Sequence, residues 1–203
     1  MAASNTVGIC NQALGWVGGN LITSLDDNSK EAQLCKANFE FSRDAVLEEA
    51  DWTFALKRYK LIPNAEKPLY AFGNGFTLPP EVIRVISVSD GNDSGSHTLD
   101  HERDWQREGD NVIANEDVVW IKALTRVEDT TKFSPGFRQS LATRLAAEFA
   151  IPISRSRKTS EQYWILYQDR LAVAMASDGL QGRAEQKNSS RLINIRRKGV
   201  FSG

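Results

Sequence analysis

The stretch Ser24–Arg58, SLDDNSKEAQLCKANFEFSRDAVLEEADWTFALKR, holds a turn, a helix start, a long amphipathic run and an aromatic exit in unbroken succession. Its opening, Leu25 to Glu31, reads as a polar turn feeding a helix. Asn28 is placed to cap the free amides of the first turn, and Glu31, three residues on, to reach back to it. From Ala32 the apolar positions Ala32, Cys35, Phe39, Val46 and Ala50 recur at threes, fours and one seven, and Leu34, Phe41 and Ala45 widen that stripe around the cylinder. A helix with so broad an apolar surface needs two partners. At Asp51 the large apolar groups fall on alternate residues, which predicts that the chain leaves the helix in an extended or irregular segment, with Trp52 and Phe54 as anchors.

Outward from this stretch the pattern stays legible. Val7, Cys10, Leu14 and Val17 make one helical stripe flanked by Ile9, Ala13 and Trp16, with Ser4, Asn5 or Thr6 as cap and Gly18-Gly19-Asn20 as stop. Pro63, Pro68, Gly73, Gly75, Pro79 and Pro80 break the next region too often for a helix, and Gly73-Asn74-Gly75 reads as a turn. Val82 to Val88 is rich in branched residues and predicts a strand. Trp105–Glu108 and Val112–Ala114 predict a hairpin about Gly109, and Val118 to Val127 a further strand with Val119, Ile121 and Ala123 on one face. These make a small antiparallel sheet between helices. Ser134-Pro135 starts a third helix that Pro152 is expected to end. Thr159 with Gln162 reads as the capping box of a fourth, with Trp164, Tyr167, Leu171, Ala174 and Met175 on its apolar stripe and Gly179 as its stop. The fold class expected is therefore α+β: about four helices in a bundle (1–62 and 132–180), an inserted β domain (63–131) and an extended tail (181–203).

Composition sets broad limits. A chain of 203 residues buries roughly 70% of its unfolded surface, and 41% hydrophobic with 25% charged residues is ordinary for a globular protein. No stretch approaches the roughly 20 apolar residues of a membrane span. Met1-Ala2-Ala3-Ser4-Asn5 carries no basic cluster before an apolar run, so no secretory leader is expected. Cys10 and Cys35 both fall on apolar helix faces and are expected as buried free thiols.

The succession Thr23-Ser24-Leu25-Asp26-Asp27, a helix carrying Cys35, Phe39, Arg43-Asp44 and Val46-Leu47, then Trp52-Thr53-Phe54-Ala55 resembles the tail tubular protein A family, the head-to-tail adaptor or gatekeeper proteins of short-tailed bacteriophages. The likeness runs from about Val7 to about Gly179. It takes in Leu78-Pro79-Pro80-Glu81 before a strand, the Gly109 hairpin, Phe133 and the helix Leu141–Glu148, and it departs mainly in the polar loop from Asp90 to Asp104. The resemblance implies a bundle with an inserted β domain. It further implies a dodecameric ring of such chains in the virion tail, assembled in the host bacterial cytoplasm between the portal protein and a tail nozzle of tail tubular protein B type. The resemblance also implies that DNA passes through the lumen of that ring without sequence-specific binding. If each of twelve subunits lends the lumen one helix at a spacing of roughly 10 Å, the circumference is about 120 Å and the bore about 38 Å, wide enough for a duplex.

Charge is unevenly placed. Residues 181–203 hold Arg183, Lys187, Arg191, Arg196, Arg197 and Lys198 against the single acid Glu185, about +5, and the whole chain is at −1, so the body before them carries about −6. Those six cations are the candidate partner-binding residues. Their few apolar neighbours, Leu192, Ile193, Ile195, Val200 and Phe201, are too sparse for a core, so the tail is expected to order on a partner. Such a tail could touch phosphates, and the apolar residues between its arginines suit a protein groove equally well.

Catalysis has weaker support. Glu48, Glu49 and Asp51, and Asp100, Glu102 and Asp104, are the acids that could flank a glycosidic bond, which gives the alternative of a tail-associated polysaccharide hydrolase. Acids on a solvated helix end and a polar loop are the commoner case. His97 and His101 lack the helical face and the following glutamate of a zinc peptidase, and the chain has no phosphate loop, dinucleotide fingerprint or serine elbow. The expectation is a structural protein, not an enzyme, with no cofactor, no metal and no membrane.

Overall fold

A computed structural model of the chain describes residues 6–90 and 98–181. Four α-helices, α1 (Thr6–Val17), α2 (Lys30–Glu48), α3 (Pro135–Ser154) and α4 (Arg157–Gln181), enclose six strands in the order of the chain: β1 (Leu56–Leu61), β2 (Asn74–Thr77), β3 (Val82–Ser89), β4 (Trp105–Glu108), β5 (Asn111–Ala114) and β6 (Val119–Thr125). The class is α+β, as the sequence predicts. The strands make two antiparallel three-stranded sheets, β1-β6-β3 and β2-β5-β4, instead of the one expected. The extended tail lies outside the described residues.

The first sheet is a wall between two cores. Leu124, Leu56, Ile83 and Ile86 face the helices, while Val119, Ile121, Ala123, Tyr59, Leu61, Val82, Val85 and Val88 face the second sheet. On β6 and β1 this follows the period of two that pleating imposes. On β3 the inward residues Val82, Val85 and Val88 stand three apart, because bulges between Val82 and Arg84 and between Val85 and Ser87 each insert an extra residue against β6. Gly109, at φ +56°, makes the two-residue turn of the β4–β5 hairpin, where Glu108 pairs with Asn111. Gly73-Asn74-Gly75, expected as a turn, instead enters β2: Asn74 and Gly75 pair with Ala114 and Ile113. Gly75 packs without a side chain against Pro68 and Asn64, so proline and glycine here shape a short strand.

In the bundle α3 is the central element, packed against α1, α2 and α4. Phe137, Leu141, Leu145 and Phe149 are fully buried, and so are Ala142, Ala146, Ala147 and Ala150, which admit neighbours on several sides. The helix is capped by Ser134, whose Oγ accepts the Phe137 amide at 3.2 Å. It does not stop at Pro152: it runs on to Ser154 and closes at Arg155, in the left-handed region at φ 55°, whose amide donates to Ile151 O. Pro152 lacks only the bond to Glu148, and the remaining half-turn tolerates that.

Three cap expectations are corrected. Ser29, not Asn28, is extended at the start of α2 and accepts the Ala32 amide, and Glu31 turns instead to Asn20, whose side-chain amide it accepts at 2.9 Å. Ser156, not Thr159, caps α4: its Oγ accepts the Thr159 amide at 3.1 Å, so Arg157 and Lys158 belong to the first turn. Gly179 does not end α4, which continues to Gln181. Cys10 and Cys35 are free and fully buried, as expected. The hydrogen bond between them and burial push the Cys10 thiol well up.

Candidate functional site

The residues after α2 form the joint between helices and sheets. Trp52, fully buried, donates from Nε1 to Val46 O at 2.9 Å and sets its ring edge-on to Phe137 at 5.1 Å; Phe54 packs on Phe133 and Phe137. A 3₁₀ turn at Thr53–Ala55 then feeds β1. Thr125 Oγ1 donates to Ala55 O at 2.9 Å, and Asp44 bridges Arg43 on its own helix and Arg126 beyond β6, at 2.8 and 2.9 Å. Both predicted anchors hold the joint.

Beside it lies an open cleft of about 500 Å³, lined among others by Glu49, Asp51, Thr53, Arg84, Lys122 and Asp178. Asp51 is ion-paired with Arg84. Asp178, nearly buried near the end of α4, accepts the Thr53 amide at 2.8 Å and the Thr53 hydroxyl at 3.0 Å, so its oxygens serve the backbone of the 3₁₀ turn. Of the three carboxylates at the cleft, only Glu49 has no ion pair or hydrogen bond among the described residues. Sequence reasoning missed Asp178, Arg84 and Lys122. Asp178 carried a signal, since it continues the buried stripe Tyr167, Leu171, Ala174 of α4, where an acid needs a partner.

The second acidic group stands apart, and none of its members lines this cleft. Arg103 joins Asp100 at 3.0 Å and Asp104 at 3.1 Å, and Asp104 also accepts the Asp100 amide. These contacts, the Arg103 bond foremost, hold the Asp104 carboxyl below its usual range. Glu102, at φ 72°, donates its amide to Trp105 O and so belongs to a tight turn before β4. The structure thus spreads the two sets of acids over two sites. His101 rests edge-on against Trp105 at 4.6 Å, and His97 lies outside the described residues. Among the described residues no three His, Cys, Asp or Glu are grouped to hold a metal ion, and no helix is long and apolar enough to cross a membrane. Arg183, Lys187, Arg191, Arg196, Arg197 and Lys198 all lie outside the described residues.

What the fold leaves at its surface is apolar area on helices. Phe41 is 79% exposed on α2, in line with exposed Ala37 and half-buried Leu34 and Ala45. On α4, Ile165, Ala172, Val173, Ala176 and Leu180 share the outer face, Ile165 being 66% exposed. The loop between β1 and β2 also carries exposed Ile62, Leu69 and Tyr70. No model of a known protein family matches this chain, and no curated protein matches it either.

Proposed function

We propose that this chain is a structural virion protein: one subunit of a head-to-tail adaptor ring that joins the portal to the tail nozzle and forms part of the channel through which DNA leaves. The observation that carries the reading is the succession from Thr23 to Ala55. Its members each have a mechanical place: Asp27 ties the turn, Cys35 and Phe39 fill the core, Arg43-Asp44 reaches the sheet, and Trp52 and Phe54 clamp α2 to α3. Two further facts support it. The acids that could serve a hydrolase are divided between two places, and Asp51 and Asp178 are held by Arg84 and Thr53. The body of the chain is acidic by about six charges, and a lining that does not grip phosphate suits passage of DNA better than its capture.

In this reading monomers add to the portal after packaging, the basic segment 181–203 orders against the portal or a neighbouring subunit, and the completed ring presents a platform for the nozzle. The test is to mix the purified protein with portal rings and image the product, with a variant lacking 181–203 alongside. The full chain should add a ring to the portal; the shortened one should keep its thermal unfolding temperature and stay free. Normal assembly by the shortened chain would refute the role of the tail, and absence of any ring with the full chain would refute the adaptor reading.

A further inference from the structure

The fold gives α2 the two helical partners its broad apolar surface calls for, α1 and α3, and still leaves part of that surface open. Its buried residues Ala32, Cys35, Phe39, Val46 and Leu47 meet α1, α3 and the joint, whereas Ala37 and Phe41, with the outer edges of Leu34 and Ala45, face solvent. The mean angular step of 100° per residue puts these four on one stripe. On α4 the buried residues Tyr167, Leu171 and Ala174 meet α3, and the opposite side carries Ile165, Ala172, Val173, Ala176 and Leu180. Among the described residues, one molecule therefore has two different uncovered apolar helix faces. Such a pair suits a head-to-tail contact, in which one face of each copy meets the other face of the next, and a heterologous contact whose rotation closes makes a ring.

Charge fixes which way the two faces meet. The C-terminal half of α2 carries exposed Glu40 and Glu48, with Glu49 just after it, none of them in an ion pair among the described residues, and α4 begins in exposed Arg157 and Lys158, of which Arg157 meets Glu161 at 3.5 Å. Opposite charges come together when the helices run antiparallel. Setting Glu48 level with Arg157 then brings Phe41 within one residue of Ile165 and Leu34 within one residue of Ala172, since both helices rise about 1.5 Å per residue. Phe41 and Leu34 then meet apolar residues along this register, and Glu48 and Arg157 stand together at one end of it.

We infer that the occupant of the outer face of α2 is the outer face of α4 on a second copy of this chain, packed antiparallel, and that this contact repeats around the assembly. The inference rests on the ring reading above and names the surfaces that build the ring. Phe41 is the anchor, a single large ring seated against Ile165, and Glu48 with Arg157 sets the register. Electrostatic pairs of this kind select orientation more than they add affinity.

The test uses Phe41→Cys and Ile165→Cys, both at exposed positions, in the full-length chain, whose own two cysteines are buried. Each variant alone, the two mixed, and the double variant are treated with a short bismaleimide, at high concentration and on purified portal rings, with electron microscopy of the same samples. The expected result is no link within either single variant, one covalent dimer in the mixture, and a ladder of oligomers from the double variant. Phe41→Glu should raise the concentration needed for half-assembly by about tenfold or more with no change in unfolding temperature. Glu48→Arg should weaken assembly, and Arg157→Glu in the same chain should restore it. Rings without any link between the two positions would overturn this interface and leave the adaptor reading standing. Linking of a single variant to itself would overturn the head-to-tail arrangement. Absence of both rings and links would remove the inference together with the reading it rests on.

Discussion

Asp178 shows how one carboxylate can hold a joint. Near the far end of α4 it accepts the amide and the hydroxyl of Thr53, a residue 125 positions earlier, and it is almost wholly out of solvent. Asp178→Ala leaves the Thr53 amide without its acceptor and should cost about 1.5–3 kcal/mol, read from urea unfolding. If Thr53→Val then costs as much in the Asp178→Ala background as in the wild type, the hydroxyl does not engage Asp178 and the pairing is wrong. Asp27 acts in the same way within a turn. Its carboxylate accepts the amides of Ser24 and Thr23 at 3.0 and 2.8 Å and the Thr23 hydroxyl, and those bonds, the Ser24 amide foremost, hold it below its ordinary value of 3.8. A carboxyl depressed on folding gives stability that is complete above its unfolded value and is lost as pH falls through the lower folded one. Asp27→Asn should therefore be less stable than the wild type at neutral pH, with the gap closing below about pH 3.8; a gap that is constant across a pH series of unfolding curves would contradict this.

At the scale of elements, the approach of α4 to the start of α3 is set by a residue with no side chain. A Cβ on Gly136, in the first turn of α3, would stand 2.8 Å from Ala174 Cβ and 3.2 Å from Ala174 Cα, so α4 can approach only because Gly136 is bare. Gly136→Ala gains up to about 1 kcal/mol of helix propensity, but it must displace backbone, and overpacking of this kind costs about 1–3 kcal/mol. The net effect should be destabilising in thermal unfolding, and Ala174→Gly in the same chain should recover part of it. The same elements show what is legible in sequence. Helix existence was, because stripes such as Phe137, Leu141, Leu145 and Phe149 repeat at the helical period regardless of their surroundings. Helix ends were less so: Asn28, Ser29 and Thr159, Ser156 are chemically interchangeable as caps, and the choice depends on which residue the preceding chain leaves extended. Strand β2 was hidden because Asn74-Gly75 has turn composition and gains its place only by pairing with β5. The candidate site fared worst. The acids were visible as residue types, but Arg84 and Thr53, which occupy Asp51 and Asp178, are brought to them by tertiary contacts that no local pattern encodes.

The whole molecule is tied together by one strand. β6 pairs with β1 on one side and β3 on the other, and its residues alternate between two cores: Leu124 enters the helical core, while Val119, Ile121 and Ala123 enter the core between the sheets. Arg126, directly after it, holds Asp44 of α2. Neither core keeps its wall if the other loses its strand, so the bundle and the sheets should unfold as one cooperative unit despite the sequence separation of their parts. Ile121→Ala, a nearly fully buried truncation on the sheet side, tests this. It should cost about 2–4 kcal/mol and lower the unfolding midpoint by roughly 5–15 °C. The helical far-ultraviolet signal, which reports the bundle, should shift by the same amount as tryptophan fluorescence, part of which comes from Trp105 and Trp120 in the sheets. If the variant loses the sheet signal first and keeps its helices to the wild-type midpoint, the two cores are independent and β6 is not their shared wall. For a ring subunit the cooperative case has a mechanical consequence: force applied to the sheets passes through β6 and Arg126–Asp44 to α2, the helix whose outer face is proposed to hold the neighbouring subunit.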